Sequence, residues 1–188
     1  MSESTLTAST TYPLRKKLID IFLGEVGVRE VPRNSNRGPR IQEYQRATDL
    51  AGTGWAYCAA FMCWGIMKWG EDSAVRDALK LTRDGFEAWR PKTAAAYGFE
   101  DWARRKRLLV HNENARPGKL TLHTGDLMTF DISHIGALIT DYESSSYALW
   151  RMETVEGNTN ASGSRDGGGV YRMERARSFA RCFIRLLD

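Results

Sequence analysis

Gly54-Trp55-Ala56-Tyr57-Cys58-Ala59-Ala60-Phe61-Met62-Cys63-Trp64 sets a cysteine behind two aromatic residues and at the head of an apolar run. The run reads as a buried helix from Cys58 to Trp69, because Ala59, Met62, Cys63, Ile66 and Met67 make it apolar nearly all round. Cys58 is then a first-turn residue. Backbone N–H groups there have no partner within the helix and the dipole is positive, so negative charge on sulfur is favoured. A nucleophilic cysteine needs that setting. The competing reading is a small apolar side chain in a core. What separates the two is downstream: a histidine, His134, heading a strand-like run, and then Glu156-Gly157-Asn158.

Upstream of this stretch, Gly52-Thr53-Gly54 follows a short helix begun by Ile41, Tyr44 and Gln45. Residues 28–39 are a polar, turn-rich loop. Pro13 opens an amphipathic helix carrying Leu14, Leu18, Ile21 and Phe22 on one face, which Gly24 or Gly27 ends. Residues 1–12 read as a flexible tail. Downstream, a helix is expected from Ser73 to Leu81, a loop as far as Pro91, and a further helix from Thr93 to Leu109. The period then changes. Strands are expected at 125–130, 134–140, within 147–156, at 169–173 and at 182–186, joined by Gly, Asp and Ser turns. Helices first and strands after give an α+β domain, its N-terminal helices packed on a small antiparallel sheet.

A chain of 188 residues is long enough for one full core and short for two, so 13–188 is read as a single domain. Three cysteines, Cys58, Cys63 and Cys182, with no CxxC pair argue against a disulfide framework and a zinc knuckle. No metal and no cofactor are expected. No apolar run reaches membrane-spanning length, and the Ser/Thr-rich start is not a Sec signal. The net charge of +4 suits an anionic wall polymer or a membrane surface as well as nucleic acid, and Arg104-Arg105-Lys106-Arg107 reads as a solvated face.

Thiol hydrolysis needs a thiolate, an imidazole and a group that orients the imidazole. His111 and His123 sit in polar, loop-like surroundings, whereas His134 begins a strand in Ser133-His134-Ile135-Gly136, beside small residues that leave room for a substrate. Glu156 and Asn158 are two apart, so in extended backbone they point the same way, and either could fix the imidazole tautomer. The candidate catalytic residues are therefore Cys58, His134, Glu156 and Asn158, with Trp55, Tyr57 and Ser133 as candidate substrate contacts. Cys63 and Cys182 read as core.

The stretch Trp55-Ala56-Tyr57-Cys58-Ala59-Ala60-Phe61 resembles the nucleophile motif of the cysteine, histidine-dependent amidohydrolase/peptidase (CHAP) family. These are papain-like peptidoglycan hydrolases, many of them bacteriophage endolysins. Gly125-Asp126-Leu127 with His134-Ile135-Gly136 is similar to that family's histidine strand, and Thr154-Val155-Glu156-Gly157-Asn158-Thr159-Asn160 to its third motif. Gly27-Val28-Arg29-Glu30-Val31-Pro32, Ser35-Asn36-Arg37-Gly38-Pro39 and Gly167-Gly168-Gly169-Val170-Tyr171 extend the likeness from about Leu18 to the C-terminus. The resemblance implies a papain-like fold of the CHAP type. It implies Cys58 as nucleophile, His134 as general base and Glu156 with Asn158 as orienting groups. It further implies an amide or peptide bond of bacterial peptidoglycan as substrate, a monomer with no nucleic-acid partner, and synthesis in a bacterial or host cytoplasm followed by release to the wall or periplasm. Two other classes stay open: a thiol protease, transglutaminase or acyltransferase on the same scaffold, and a non-catalytic wall- or nucleic-acid-binding module.

Overall fold

The computed structural model describes residues 4–110, 121–143 and 151–188. Six helices come first among them: α1 Ser4–Leu23, α2 Pro39–Gln45, α3 Cys58–Trp69, α4 Ser73–Ala78, α5 Arg83–Trp89 and α6 Ala96–Lys106. The strands follow as β1 Leu109–Val110, β2 Thr121–Leu122, β3 Leu127–Phe130, β4 His134–Leu138, β5 Tyr142–Glu143, β6 Arg151–Thr159, β7 Gly169–Ala176 and β8 Ala180–Ile184. Six of them form one sheet in the order β1-β8-β3-β4-β6-β7. Its pairings are antiparallel throughout. Strands β2 and β5 pair as a separate ribbon. The architecture is α+β.

Helix α3 is the centre of the core, buried from Cys58 to Ile66 and again at Trp69. An apolar surface on all sides demands neighbours on all sides. Phe22 of α1 meets Phe61 edge-on at 5.0 Å, and Tyr44 of α2 lies 5.0 Å from Phe61 and 5.1 Å from Trp64. Fully burying a side chain such as Phe22 or Ile66 stabilises the fold by roughly 1.5–3 kcal/mol. On the sheet side α3 packs against β4 and β6. Gly157 allows the close approach: a Cβ there would stand 2.9 Å from Phe61. A second apolar cluster, with Met128, Phe130, Leu138, Met152 and Phe183, fills the other face of the sheet.

Several boundaries differ from the sequence reading. Helix α1 begins at Ser4, with Pro13 inside it, rather than at Pro13 after a tail. The apolar stripe that signals the helix starts only at Leu14, so the Ser/Thr-rich turns before it give no periodic sign. The expected loop before Pro91 holds α5, whose first turn is capped by Thr82 Oγ1 accepting from the Gly85 N–H at 3.0 Å. The helix expected over Thr93–Leu109 is shorter, and Leu109–Val110 joins the sheet edge against β8. Of the strand expected within 147–156, residues 147–150 lie outside the described residues.

Candidate active site

Cys58 opens α3 behind Tyr57, and no side chain caps that helix end. Phe61 N–H bonds to Tyr57 O, which leaves the earlier N–H groups of the turn as donors for an anion at the helix start. The loop leading in is held from behind by Gln45, which is fully buried. Its Nε2 donates to Trp55 O at 2.7 Å and to Asn36 O at 3.1 Å, and its Oε1 accepts from Gly54 N–H at 3.4 Å. Gln45 is thus committed to placing the backbone before the cysteine.

His134 is the first residue of β4, at the end of the sheet, and is fully buried. Its Nε2 lies 2.9 Å from Glu156 Oε2. Glu156 reaches across from β6 because Gly136 lacks a side chain: a Cβ there would be 2.7 Å from Glu156 Cγ. The carboxylate is saturated with donors. Arg175 of β7 grips it with two bonds, Nε to Oε1 at 2.8 Å and Nη2 to Oε2 at 2.5 Å, and Thr154 Oγ1 donates to Oε1 at 2.5 Å. Two parallel guanidinium bonds fix the orientation of a carboxylate as well as its charge.

These contacts favour a charged carboxylate beside a charged imidazole. Burial alone would raise the Glu156 pKa, but Arg175 and His134 outweigh it and hold it down at about 2. Burial likewise would lower the His134 pKa; Cys58 and Glu156 outweigh it and lift it to about 9. With Nε2 taken by Glu156, Nδ1 is the ring nitrogen left for the thiol, and it is buried without a hydrogen-bond partner. Cys58 thus raises the His134 pKa although no hydrogen bond is formed at Nδ1.

Asn158 does not share the task. The register of β6 and β7 shifts between Glu156 and Thr159, and Asn158 takes a left-handed φ of 59°. The bulge breaks the alternation that would have put Asn158 beside Glu156. Its Nδ2 instead donates to Arg165 O at 2.9 Å, and its Oδ1 is buried and unpartnered. Tyr57 is fully buried, its ring 6.2 Å from that of Tyr44. It is therefore core rather than an open substrate contact, since the turn into α3 directs it inward. Trp55 is half-buried with its indole N–H unpartnered. Ser133 closes the β3–β4 turn in left-handed backbone, its N–H reaching Phe130 O at 3.1 Å and the Tyr97 hydroxyl at 3.2 Å.

His123 sits in the turn before β3, near Asp141 at 4.0 Å, with burial pushing its pKa down; His111 lies outside the described residues. Cys63 is wholly buried, its pKa raised by burial and its sulfur 3.4 Å from Thr93 O. Cys182, lifted to about 11 by burial, contacts Thr129 Oγ1 at 3.0 Å. Among the described residues, no three or more His, Cys, Asp or Glu side chains form a group suited to a metal ion, and no helix is long and apolar enough to cross a membrane.

Arg175 and Gln45 are the site residues that sequence reasoning missed. An arginine in a strand of alternating charge reads as a solvated face, and a glutamine in a short helix carries no signal. Comparison with family models, curated proteins and solved structures gives no match.

Proposed function

We propose that the protein is a cysteine hydrolase on a papain-like scaffold of the CHAP type, cleaving an amide or peptide bond in the stem or cross-bridge of bacterial peptidoglycan. The observation that carries the catalytic part is the buried His134–Glu156 pair, locked by Arg175 and electrically coupled to Cys58 at an uncapped helix start. The substrate class rests on the likeness of the Cys58, His134 and Glu156 motifs to those of wall hydrolases.

In this reading the Cys58 thiolate attacks the carbonyl carbon and the C=O π pair moves to oxygen. The oxyanion is held by the Cys58 N–H at the positive end of α3. Collapse breaks the C–N bond, and the departing amine takes the proton from His134 Nδ1. A thioester remains on Cys58. His134, now neutral, takes a proton from water; the hydroxide oxygen attacks the thioester, and the carboxylic acid leaves. Glu156 keeps its charge throughout, holds the ring through Nε2 and stabilises the imidazolium. The protein acts as a monomer, reaching wall or periplasm after release from the cytoplasm where it is made, and needs no nucleic acid.

The test is digestion of purified peptidoglycan and of casein, with released fragments identified by mass spectrometry. The reading predicts wall fragments sharing one new amine end, and a loss of several orders of magnitude in Cys58→Ala. Casein cleavage without wall cleavage would transfer the site to a protein protease. Undiminished wall cleavage by folded Cys58→Ala would remove the thiol mechanism.

A further inference from the structure

A polar cavity of about 350 Å³ lies between the 29–34 segment and the turn that follows β6. Its wall is built by laying the 28–30 backbone along β7: Glu30 N–H donates to Gly168 O at 2.9 Å, and Val170 N–H to Val28 O at 3.0 Å. This pairing carries the Glu30 side chain inward. Glu30 is only 7% exposed, and its Oε2 is sealed from solvent with no hydrogen-bond partner. A buried carboxylate oxygen without a donor is costly, which marks a place for one. A Cβ on Gly168 would stand in ordinary contact with both Glu30 Oε2, at 4.0 Å, and Asn34 Oδ1, at 3.9 Å, so the two acceptors lie on the same side of Gly168.

The cavity also carries cations. Arg29 is committed, stacked over Tyr171 at 4.2 Å with its Nη1 on the Val28 and Val170 carbonyls. Arg33 and Asp166 both line the cavity and are exposed; Asp166 is paired with Arg165 at 3.5 Å, and Arg33 is left to meet an anion. Asn160, on the same wall, is four residues beyond Glu156, no more than about 13 Å along extended backbone. Tyr57, whose hydroxyl is buried without a partner and feels the Glu30 charge, directly precedes Cys58.

The geometry points to a subsite for a zwitterionic amino-acid head group, its ammonium on Glu30 and Asn34 Oδ1 and its carboxylate on Arg33. The inference rests on the wall-hydrolase reading, because the free end of an unlinked diamino acid in a stem peptide carries such a head group. It makes the enzyme selective for stems that are not cross-linked at that residue.

The probe is meso-diaminopimelate, titrated into the folded Cys58→Ala protein while the Gly168 amide and the Arg33 side chain are followed by NMR. Cadaverine and pimelate serve as probes of one charge type each. Saturable shifts are expected with meso-diaminopimelate, with weaker binding of either control and an affinity loss of about tenfold or more in Glu30→Gln and in Arg33→Gln. Circular dichroism checks each variant's fold; should Glu30→Gln not fold, Arg33→Gln makes the same comparison. No saturable shift at Gly168, or equal affinity in the folded variants, overturns the subsite. Because the inactive protein is used, wall cleavage without this binding removes only the subsite, and this binding without wall cleavage removes only the hydrolase reading.

Discussion

Replacing Glu156 by Gln keeps the shape of the side chain and removes its charge. In the native site His134 is held at about 9 against its ordinary 6.5, and the Glu156 carboxylate at 2.9 Å is one of the two groups that lift it. Without that charge the imidazole moves back toward 6.5, drawn down by burial and held up by Cys58 alone. At pH 8 an imidazole of pKa 9 is roughly nine-tenths protonated and one of pKa 6.5 about 3% protonated; because Cys58 still lifts the ring in the variant, the imidazolium fraction falls by at most about 30-fold. At pH 6 the same arithmetic leaves a difference of less than about twofold. The assay is the pH profile of wall hydrolysis, paired with NMR titration of the His134 ring in both proteins. The basic limb should lie near 9 in the native protein and move down by as much as about 2.5 units in Glu156→Gln. A limb that stays in place would refute the assignment of Glu156 as the charge that keeps His134 protonated.

The same residues govern stability. His134 has its folded pKa raised, so its contribution is complete below 6.5 and lost as pH rises through about 9; Glu156 has its folded pKa lowered, so its contribution is complete above 4.5 and lost as pH falls toward about 2. Urea midpoints should therefore show this cluster at full strength between roughly pH 4.5 and 6.5. Arg175→Met leaves a buried carboxylate without its main counter-charge and should cost about 3–5 kcal/mol at pH 7, read from urea unfolding; a cost under about 1 kcal/mol would make the grip on Glu156 incidental. Gly136→Ala puts a methyl group 2.7 Å from Glu156 Cγ. It should displace the carboxylate, costing about 1–3 kcal/mol of stability and lowering kcat more than it raises KM; unchanged kcat would contradict the packing argument.

The parts of the fold with strong periodic signals were readable from the chain. The continuous apolar character of Cys58–Trp69 marks a buried helix, and the observed α3 has those bounds. His134 and Glu156 both fall on strands, as their β-type surroundings imply. Elements decided by distant partners were not readable. Leu109–Val110 is a strand only because Ile184 and Phe183 lie beside it, and the two-residue β2 and β5 exist only as each other's partners. The choice between Glu156 and Asn158 hung on a bulge, which alternation in a sequence does not disclose. Tyr57 looked like a substrate contact by its place beside Cys58, but the backbone turn into α3 sends it to the core. Arg175 looked like one surface charge among several, and only the pairing of β6 with β7 brings it to Glu156.

The activation of Cys58 by His134 is tested most directly by the rate of carboxamidomethylation at each cysteine of the native protein near neutral pH, read by peptide mass spectrometry. All three cysteines are buried; Cys58, beside His134, should react rapidly while Cys63 and Cys182, whose pKa burial raises, stay unmodified, and His134→Ala should slow the Cys58 reaction by an order of magnitude or more. A Cys58 no more reactive than the other two, or one indifferent to the loss of His134, would contradict the account.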